Sequence, residues 1–291
     1  MHQYLKAIGF KKAKSKKDII DLLKEVETSF THKVLVSHNE ETKYCEFQKL
    51  FGDNIGITIC GEMDEEETFE MEYYFPYFQG SHATMCAEII IERRIDKEQY
   101  VGIYEDSAVG ISLIFTIGNG IEIIEECQLG VTSKVPVNVT FSGLAISGKI
   151  LLPVKKSSEQ KWMEQRESDN RKYLINLARN GDSQAMETLT LEDMEMYSKV
   201  SKRLITEDVF SIVDSYFMPH GVECDVYSIL GEILEVDKIQ NHATQEELYQ
   251  MTLDVNELVF DICVPVSEVM GEPKAGRRFK GDIWLQGYID F

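Results

Sequence analysis

The stretch Asp214-Ser215-Tyr216-Phe217-Met218-Pro219-His220-Gly221-Val222-Glu223-Cys224-Asp225 separates two kinds of pattern in the chain. The residues before it carry apolar side chains at helical spacings, whereas the residues after it alternate as strands do. Several side chains that can bind metal ions or take part in catalysis are concentrated in this one turn. The stretch therefore predicts a junction between a helical segment and a β-rich tail.

Working outward from this junction, the sequence predicts an α+β protein in three parts. Residues 1–154 are expected to form a mainly antiparallel β domain with one helix that begins at Ser15, and Asn119-Gly120 is its strongest hairpin signal. Residues 155–205 are expected to form a helical insert, with Asp182 capping a second helix and Thr190 starting a third. Residues 206–291 are expected to form a small five-stranded barrel of the oligonucleotide/oligosaccharide-binding (OB) shape.

The bulk composition is that of a folded protein without a membrane span. The chain has 291 residues, of which 43% are hydrophobic and 27% are charged, and this length favours two domains over one. No apolar run reaches the roughly 20 residues that cross a bilayer, and the start of the chain is too short an apolar segment for a signal peptide. Six scattered cysteines are typical of free thiols in a reducing compartment. We therefore expect a cytoplasmic protein.

The charge balance argues against nucleic acid as the partner. The formal net charge is −20, and a strongly acidic protein repels a polyanion whose binding requires clustered Lys and Arg. A protein or small-molecule partner is therefore the prediction, and nucleic acid is not expected.

The turn at His220 is the one candidate metal site. His220, Glu223, Cys224 and Asp225 are all potential ligands, but zinc needs three or four ligands that converge. A turn shaped by Gly221, with solvated carboxylates, explains the same residues. We therefore predict no metal here and keep these four residues as weak candidates.

The last strand offers a candidate ligand face. Phe279, Ile283, Leu285 and Ile289 share one side of it and are expected to face the core. The other side carries Arg278, Lys280, Trp284 and Tyr288. Cations interleaved with rings suit a single-stranded nucleic acid or a sugar, but Asp282 and Asp290 lie on the same side and can neutralise the cations. An internal contact is the favoured interpretation of this side.

Three segments of the chain carry a resemblance: the Asp214–Asp225 stretch, Tyr227-Ser-Ile-Leu-Gly-Glu-Ile233 and Gly276-Arg-Arg-Phe-Lys-Gly-Asp-Ile-Trp-Leu-Gln-Gly287. With these segments the chain resembles a family of uncharacterised clostridial proteins catalogued only as a domain of unknown function. The resemblance runs end to end but implies no activity, cofactor or catalytic residue.

No nucleophile elbow, zinc-protease motif or dinucleotide fingerprint is present in the sequence. We therefore predict no cofactor and name no catalytic residue. The favoured hypothesis is a non-enzymatic cytoplasmic protein that acts through a protein or small-ligand surface. Two alternatives stay open: a metal-assisted hydrolase that uses the His220 turn, and an OB-like binder of single-stranded nucleic acid or sugar.

Overall fold

The computed structural model describes residues 2–13, 15–37, 42–81, 83–93, 99–105, 112–128, 136–154 and 158–290. Within these ranges the protein is a mixed α+β structure built mostly of strands, which confirms the predicted class. The strands form two sheets, one of four strands and one of eleven.

The chain begins with a 3-10 helix, Gln3–Ile8, and the helix α1, Lys16–Thr28. The predicted helix start is confirmed, because the Ser15 hydroxyl accepts from the Asp18 amide and the Asp18 carboxylate accepts from the Ser15 amide, both at 3.0 Å. This reciprocal cap satisfies two amides that have no partner inside the helix. The buried face of α1 contains Ile19, Leu22, Leu23 and Val26, the spacing of an amphipathic helix.

The first sheet is an antiparallel meander of four strands in chain order. The strands are β1 (His32–Ser37), β2 (Lys43–Gly52), β3 (Ile55–Met63) and β4 (Phe69–Phe78). Helix α1 contacts β2 and β3. The sheet also bonds to the second sheet, because Gln286 donates to the Pro76 carbonyl at 2.9 Å and accepts from the Phe78 amide at 3.1 Å. The first sheet is therefore packed between elements on both sides.

The second sheet collects strands from most of the rest of the chain. They are β5 (Met85–Ala87), β6 (Ile90–Arg93), β7 (Tyr100–Glu105), β8 (Ser112–Ile117), β9 (Val137–Leu151), β10 (Tyr216–Pro219), β11 (Val226–Gln240), β12 (Glu247–Val255), β13 (Leu258–Pro265), β14 (Val269–Met270) and β15 (Arg278–Asp290). Helix α2, Gly120–Gln128, lies between β8 and β9 in the chain, and a 3-10 helix, Val266–Glu268, precedes β14.

Five strands of this sheet pair in a closed order. Strand β11 pairs with β12, β12 with β13, β13 with β9, β9 with β15, and β15 again with β11. All of these pairs are antiparallel except β13 with β9, which is parallel. Strand β9 belongs to the predicted first domain and β15 to the predicted third, so hydrogen bonds unite the two predicted β domains in one sheet. The three-part division of the chain stays a prediction about folding units.

The predicted hairpin at Asn119-Gly120 is wrong. Gly118 and Asn119 form a turn that leads directly into α2, and the Ile123 amide bonds to the Asn119 carbonyl. The buried Asn119 side chain donates to the Ile289 carbonyl at 2.8 Å and accepts from the Ile289 amide at 3.2 Å. Ile121 packs with β1 and β2, whereas Ile123 joins the core of the second sheet. Because α2 packs against both cores, the run Ile121–Ile124 is apolar on several sides of the helix.

The helical segment consists of α3 (Ser158–Arg179), α4 (Ser183–Arg203) and the short α5 (Val209–Ile212). The Asp182 cap is confirmed, because its carboxylate accepts from the amides of Gln184 and Ala185 at 2.9 and 3.0 Å. The predicted break at Thr190 is wrong, since its hydroxyl bonds to the Met186 carbonyl one turn earlier and α4 continues. The region predicted to form the third, β-rich part begins instead with the helical turn Val209–Ile212, and its first strand is Tyr216–Pro219.

Strand β15 lies between two hydrophobic cores. Phe279, Ile283, Leu285 and Ile289 belong to the core of the second sheet, as predicted for the inward side. Trp284 belongs to the other core, with the N-terminal helices and the first sheet. Both sides of the strand are therefore packed against protein around Trp284.

Candidate functional site

Trp284, the central ring of the predicted ligand face, is buried. Its ring stacks on Tyr4 with centroids 5.3 Å apart and meets Phe75 edge-on at 6.5 Å. The indole nitrogen donates to the Asp225 carboxylate at 2.9 Å. Because the first sheet and the N-terminal helix cover this ring, it is a packing and hydrogen-bonding residue and not part of an open stacking surface.

Arg278 is also buried, and its guanidinium bonds to main-chain carbonyls. It donates to Leu152 at 3.0 and 2.9 Å, to Phe210 at 2.7 Å and to Val213 at 2.8 Å. Burial lowers the pKa of Arg278, and the carbonyl oxygens accept the charge-assisted hydrogen bonds. Arg278 therefore ties the two ends of the helical segment to β15.

The other two residues of that side have protein partners as well. The Lys280 ammonium lies over the Phe210 ring, 4.9 Å from its centroid. The Tyr288 hydroxyl accepts from the Gln48 amide at 3.3 Å, and burial raises the pKa of Tyr288. Arg278, Lys280, Trp284 and Tyr288 are thus spread over separate internal contacts of β15.

The His220 turn divides into an exposed part and a buried part. The exposed His220 imidazole lies 3.7 Å from the Asp282 carboxylate, and Cys224 is exposed. Asp225 is buried instead, and one carboxylate oxygen accepts from the Thr116 hydroxyl at 2.7 Å and from Trp284. Among the described residues, no group of three or more His, Cys, Asp or Glu side chains could hold a metal ion. Asp225 acts as a buried acceptor that joins β8 to β15.

A second buried carboxyl, Glu46 on β2, was not singled out from the sequence. One oxygen accepts from the Gln48 amide at 2.5 Å and the other from the Cys60 thiol at 3.8 Å. Tyr73 in turn bonds to Cys60, and Gln48 also donates to Tyr288. Burial, with a smaller contribution from Glu122, raises the pKa of Glu46 to about 7. We name this set of five residues, Glu46, Gln48, Cys60, Tyr73 and Tyr288, the interlayer polar cluster.

The carboxyl of the interlayer polar cluster is buried, and its raised pKa lies close to neutral pH. The Glu46 side chain is 2% exposed, and burial raises the pKa values of Cys60 and Tyr73 as well. Among the described residues, the buried Thr58 hydroxyl on the neighbouring strand has no hydrogen-bond partner. The sequence signal for this cluster is Glu46 and Gln48 alternating with apolar residues in β2, which places two polar side chains on one face of a buried sheet.

Exposed large apolar side chains are concentrated on α3 and α4, which we call the helical hairpin. Arg171 of α3 bonds to Asp193 of α4 at 2.7 Å, and Lys172 bonds to Glu257 in the turn between β12 and β13. Ten large apolar side chains of residues 158–205 are exposed. They are Trp162, Met163, Tyr173, Met186, Leu191, Met194, Met196, Tyr197, Leu204 and Ile205. Exposed apolar side chains in such a concentration are typical of binding surfaces.

One side of α4 is the most continuous part of this surface. Thr190, Met194, Tyr197, Ser201 and Leu204 follow one another at spacings of four and three residues, which places them on one side of a helix. Met194 is 65% exposed and Tyr197 is 78% exposed. The opposite side, at Ala185, is buried. We call these five residues the outer face of α4.

The helical hairpin has a different charge balance from the rest of the chain. Residues 158–203 contain 8 Lys or Arg and 9 Asp or Glu, a net charge of −1 in a chain of net charge −20. The acidic excess therefore belongs almost entirely to the other residues. Within the described parts of the chain, each helix is too short or too polar to cross a bilayer.

Comparison with known proteins gives a family but no activity. No curated protein matches the chain, and no solved structure does. A family model described as "Domain of unknown function, E. rectale Gene description (DUF3881)" matches residues 5–287, nearly the whole chain. The resemblance to a clostridial family is therefore confirmed, and the chain belongs to this family of proteins with a domain of unknown function.

Proposed function

We propose that this protein is a non-enzymatic binding protein of the cytoplasm that docks another protein through the helical hairpin, with the two sheets as its scaffold. The concentration of exposed apolar side chains on α3 and α4 carries the proposal. Each large aromatic side chain that leaves water in an interface covers about 150–250 Å², and apolar burial contributes roughly 25 cal/mol per Å². Trp162, Tyr173 and Tyr197 could therefore supply several kcal/mol to a docked complex.

The placement of the other candidate residues supports docking over chemistry. Asp225, Arg278 and Trp284 all form internal hydrogen bonds, so they are committed to the fold. The proton-binding Glu46 is enclosed between the sheets. The free cysteines, of which Cys45, Cys60 and Cys263 are buried, fit a reducing compartment.

We also propose an OB-like description for the closed order of β11, β12, β13, β9 and β15. Support comes from the five-strand ring of pairings and from its single parallel pair, β13 with β9. An OB-like fold leaves function open. The Trp284 ring, on which a nucleic acid or sugar would stack, is buried. The net charge of −20 also opposes the binding of a polyanion.

A site-specific photo-crosslinker tests the proposed docking surface. The crosslinking amino acid replaces Met194 on the outer face of α4, or Val222 as a matched control, since Val222 is a fully exposed apolar residue in the His220 turn. We expect discrete protein adducts in irradiated cells from position 194 and none from position 222. Equal adduct formation at both positions, or none at position 194, would overturn the proposal.

A further inference from the structure

The outer face of α4 is complementary to itself. Thr190, Met194, Tyr197, Ser201 and Leu204 alternate spacings of four and three residues, the pattern of a helix that packs lengthwise along another helix. In an antiparallel pair centred between Met194 and Tyr197, Met194 of one copy faces Tyr197 of the other. Thr190 then faces Ser201, so two small hydroxyl residues lie opposite each other and let the helices approach closely.

The charges along α4 suit the same antiparallel arrangement. The acidic residues Glu187, Glu192, Asp193 and Glu195 precede Met196, whereas the basic residues Lys199, Lys202 and Arg203 follow Tyr197. Glu187 and Lys202 flank the outer face, whereas Glu192 and Lys199 follow Ala185 at seven-residue spacings and therefore lie on the opposite side of α4. In an antiparallel pair, Glu187 of one copy comes beside Lys202 of the second. A parallel pair would instead set like charges beside each other.

The acidic character of the chain does not oppose such a pair at the contact. Two chains of net charge −20 repel at long range, but repulsion between exposed charges is largely screened beyond about 8 Å at physiological salt. The hairpin has a net charge of only −1. A second copy can therefore meet this part of the surface without bringing excess carboxylates together.

We propose that the outer face of α4 binds a second copy of this chain as an antiparallel, two-fold symmetric dimer. The inference deepens the proposed docking function and rests on it. A two-fold axis makes each contact occur twice, so each copy supplies Met194 and Tyr197 to the centre of the interface. Trp162 and Tyr173 of α3 remain exposed in the single chain and are not needed for this contact.

Sedimentation of the purified full-length protein tests the dimer. We expect the wild-type protein to form dimers. Tyr197→Lys should raise the dissociation constant of the dimer more than about 100-fold, because two central aromatic contacts are lost together. Val222→Lys introduces the same positive charge at another exposed apolar residue and should leave the dissociation constant unchanged. Far-UV circular dichroism checks that both variants fold. A wild type that stays monomeric, or equal effects of the two substitutions, would overturn the inference.

A charge swap tests the orientation of the two copies. Lys202→Glu or Glu187→Lys alone should weaken association about fivefold, since two symmetric surface pairs are lost. The double variant Glu187→Lys/Lys202→Glu should restore association to near the wild-type value. Failure of the double variant to recover would refute the antiparallel arrangement. A monomeric wild type that still forms adducts with a different protein at position 194 would refute the dimer and leave the proposed function standing.

Discussion

Replacing Glu46 by glutamine should change how the stability of the protein depends on pH. Glu46 is buried between the sheets and accepts from Gln48 and Cys60. Burial raises its pKa from the usual value near 4.5 to about 7, because the ionised form loses its hydration in the interior. Glutamine has nearly the same shape and can keep the bond from Gln48, but it cannot ionise.

The magnitude follows from the two pKa values. Below pH 4.5 the folded and unfolded chains both hold the proton, and between pH 4.5 and 7 only the folded chain holds it. Rising pH therefore favours unfolding across this interval, and above pH 7 the loss is constant. A pKa difference of one corresponds to about 1.4 kcal/mol, so ionisation of Glu46 should cost about 3 kcal/mol of unfolding free energy by pH 8.

Urea unfolding of wild type and Glu46→Gln at several pH values between 4 and 8 measures this cost. The free-energy difference between the two proteins should shift by about 3 kcal/mol in favour of the variant as pH rises. Glu70→Gln removes an exposed carboxylate from β4 and serves as the control, with no comparable shift. A difference between wild type and Glu46→Gln that stays constant over this range would refute the assignment of a neutral-pH proton to Glu46.

Three further substitutions test the buried contacts by urea unfolding. Asp225→Ala leaves the Trp284 indole and a buried hydroxyl without their acceptor and should cost about 3 kcal/mol; a loss below about 1 kcal/mol would contradict its buried-acceptor role. Arg278→Met should lower the free energy of unfolding by about 3 kcal/mol, whereas Arg277→Met, which removes only exposed contacts, should lower it by less than about 1 kcal/mol. Similar losses for the two variants would contradict the role of Arg278 in connecting the helical segment to β15. Gly61→Ala should cost more than about 2 kcal/mol, because the added carbon would lie 2.0 Å from the Glu70 carbonyl oxygen; a neutral result would contradict this close strand approach.

Local signals in the sequence predicted local structure well. The Ser15 capping box, the Asp182 cap and the inward residues of β15 are all confirmed. Each depends on neighbours within a few residues, so spacing alone contains the information.

Predictions failed where distant residues decide the structure. Asn119-Gly120 has the composition of a hairpin turn, but Asn119 bonds to Ile289 at the other end of the chain and a helix follows. Thr190 can cap a helix, but its hydroxyl bonds inside α4. The alternation of Glu46 and Gln48 with apolar residues in β2 indicates a strand with two polar side chains on one face, but it does not show which distant elements bury that face.

The candidate site illustrates the same limit. The spacing in β15 correctly separated Trp284 from the inward residues, but it could not reveal that Tyr4 and Phe75 cover its ring. The raised pKa of Glu46 likewise depends on burial by elements far away in the chain. Exposure of the α4 side chains could be predicted only in part, since helical periodicity shows a stripe and not whether another element covers it.

The Arg278 guanidinium anchors both ends of the helical segment, so the length and sequence of the helices between these ends can change. Its hydrogen bonds hold Leu152, before α3, and Phe210 and Val213, after α4, against the same end of β15. Both ends of the segment are thus fastened to the scaffold independently of what lies between them, and closing a longer loop adds only about 0.6 kcal/mol per doubling of its length. Members of one lineage could therefore exchange, lengthen or delete the displayed helices while the sheets keep their register, and a designer could graft a different recognition element at the same anchor.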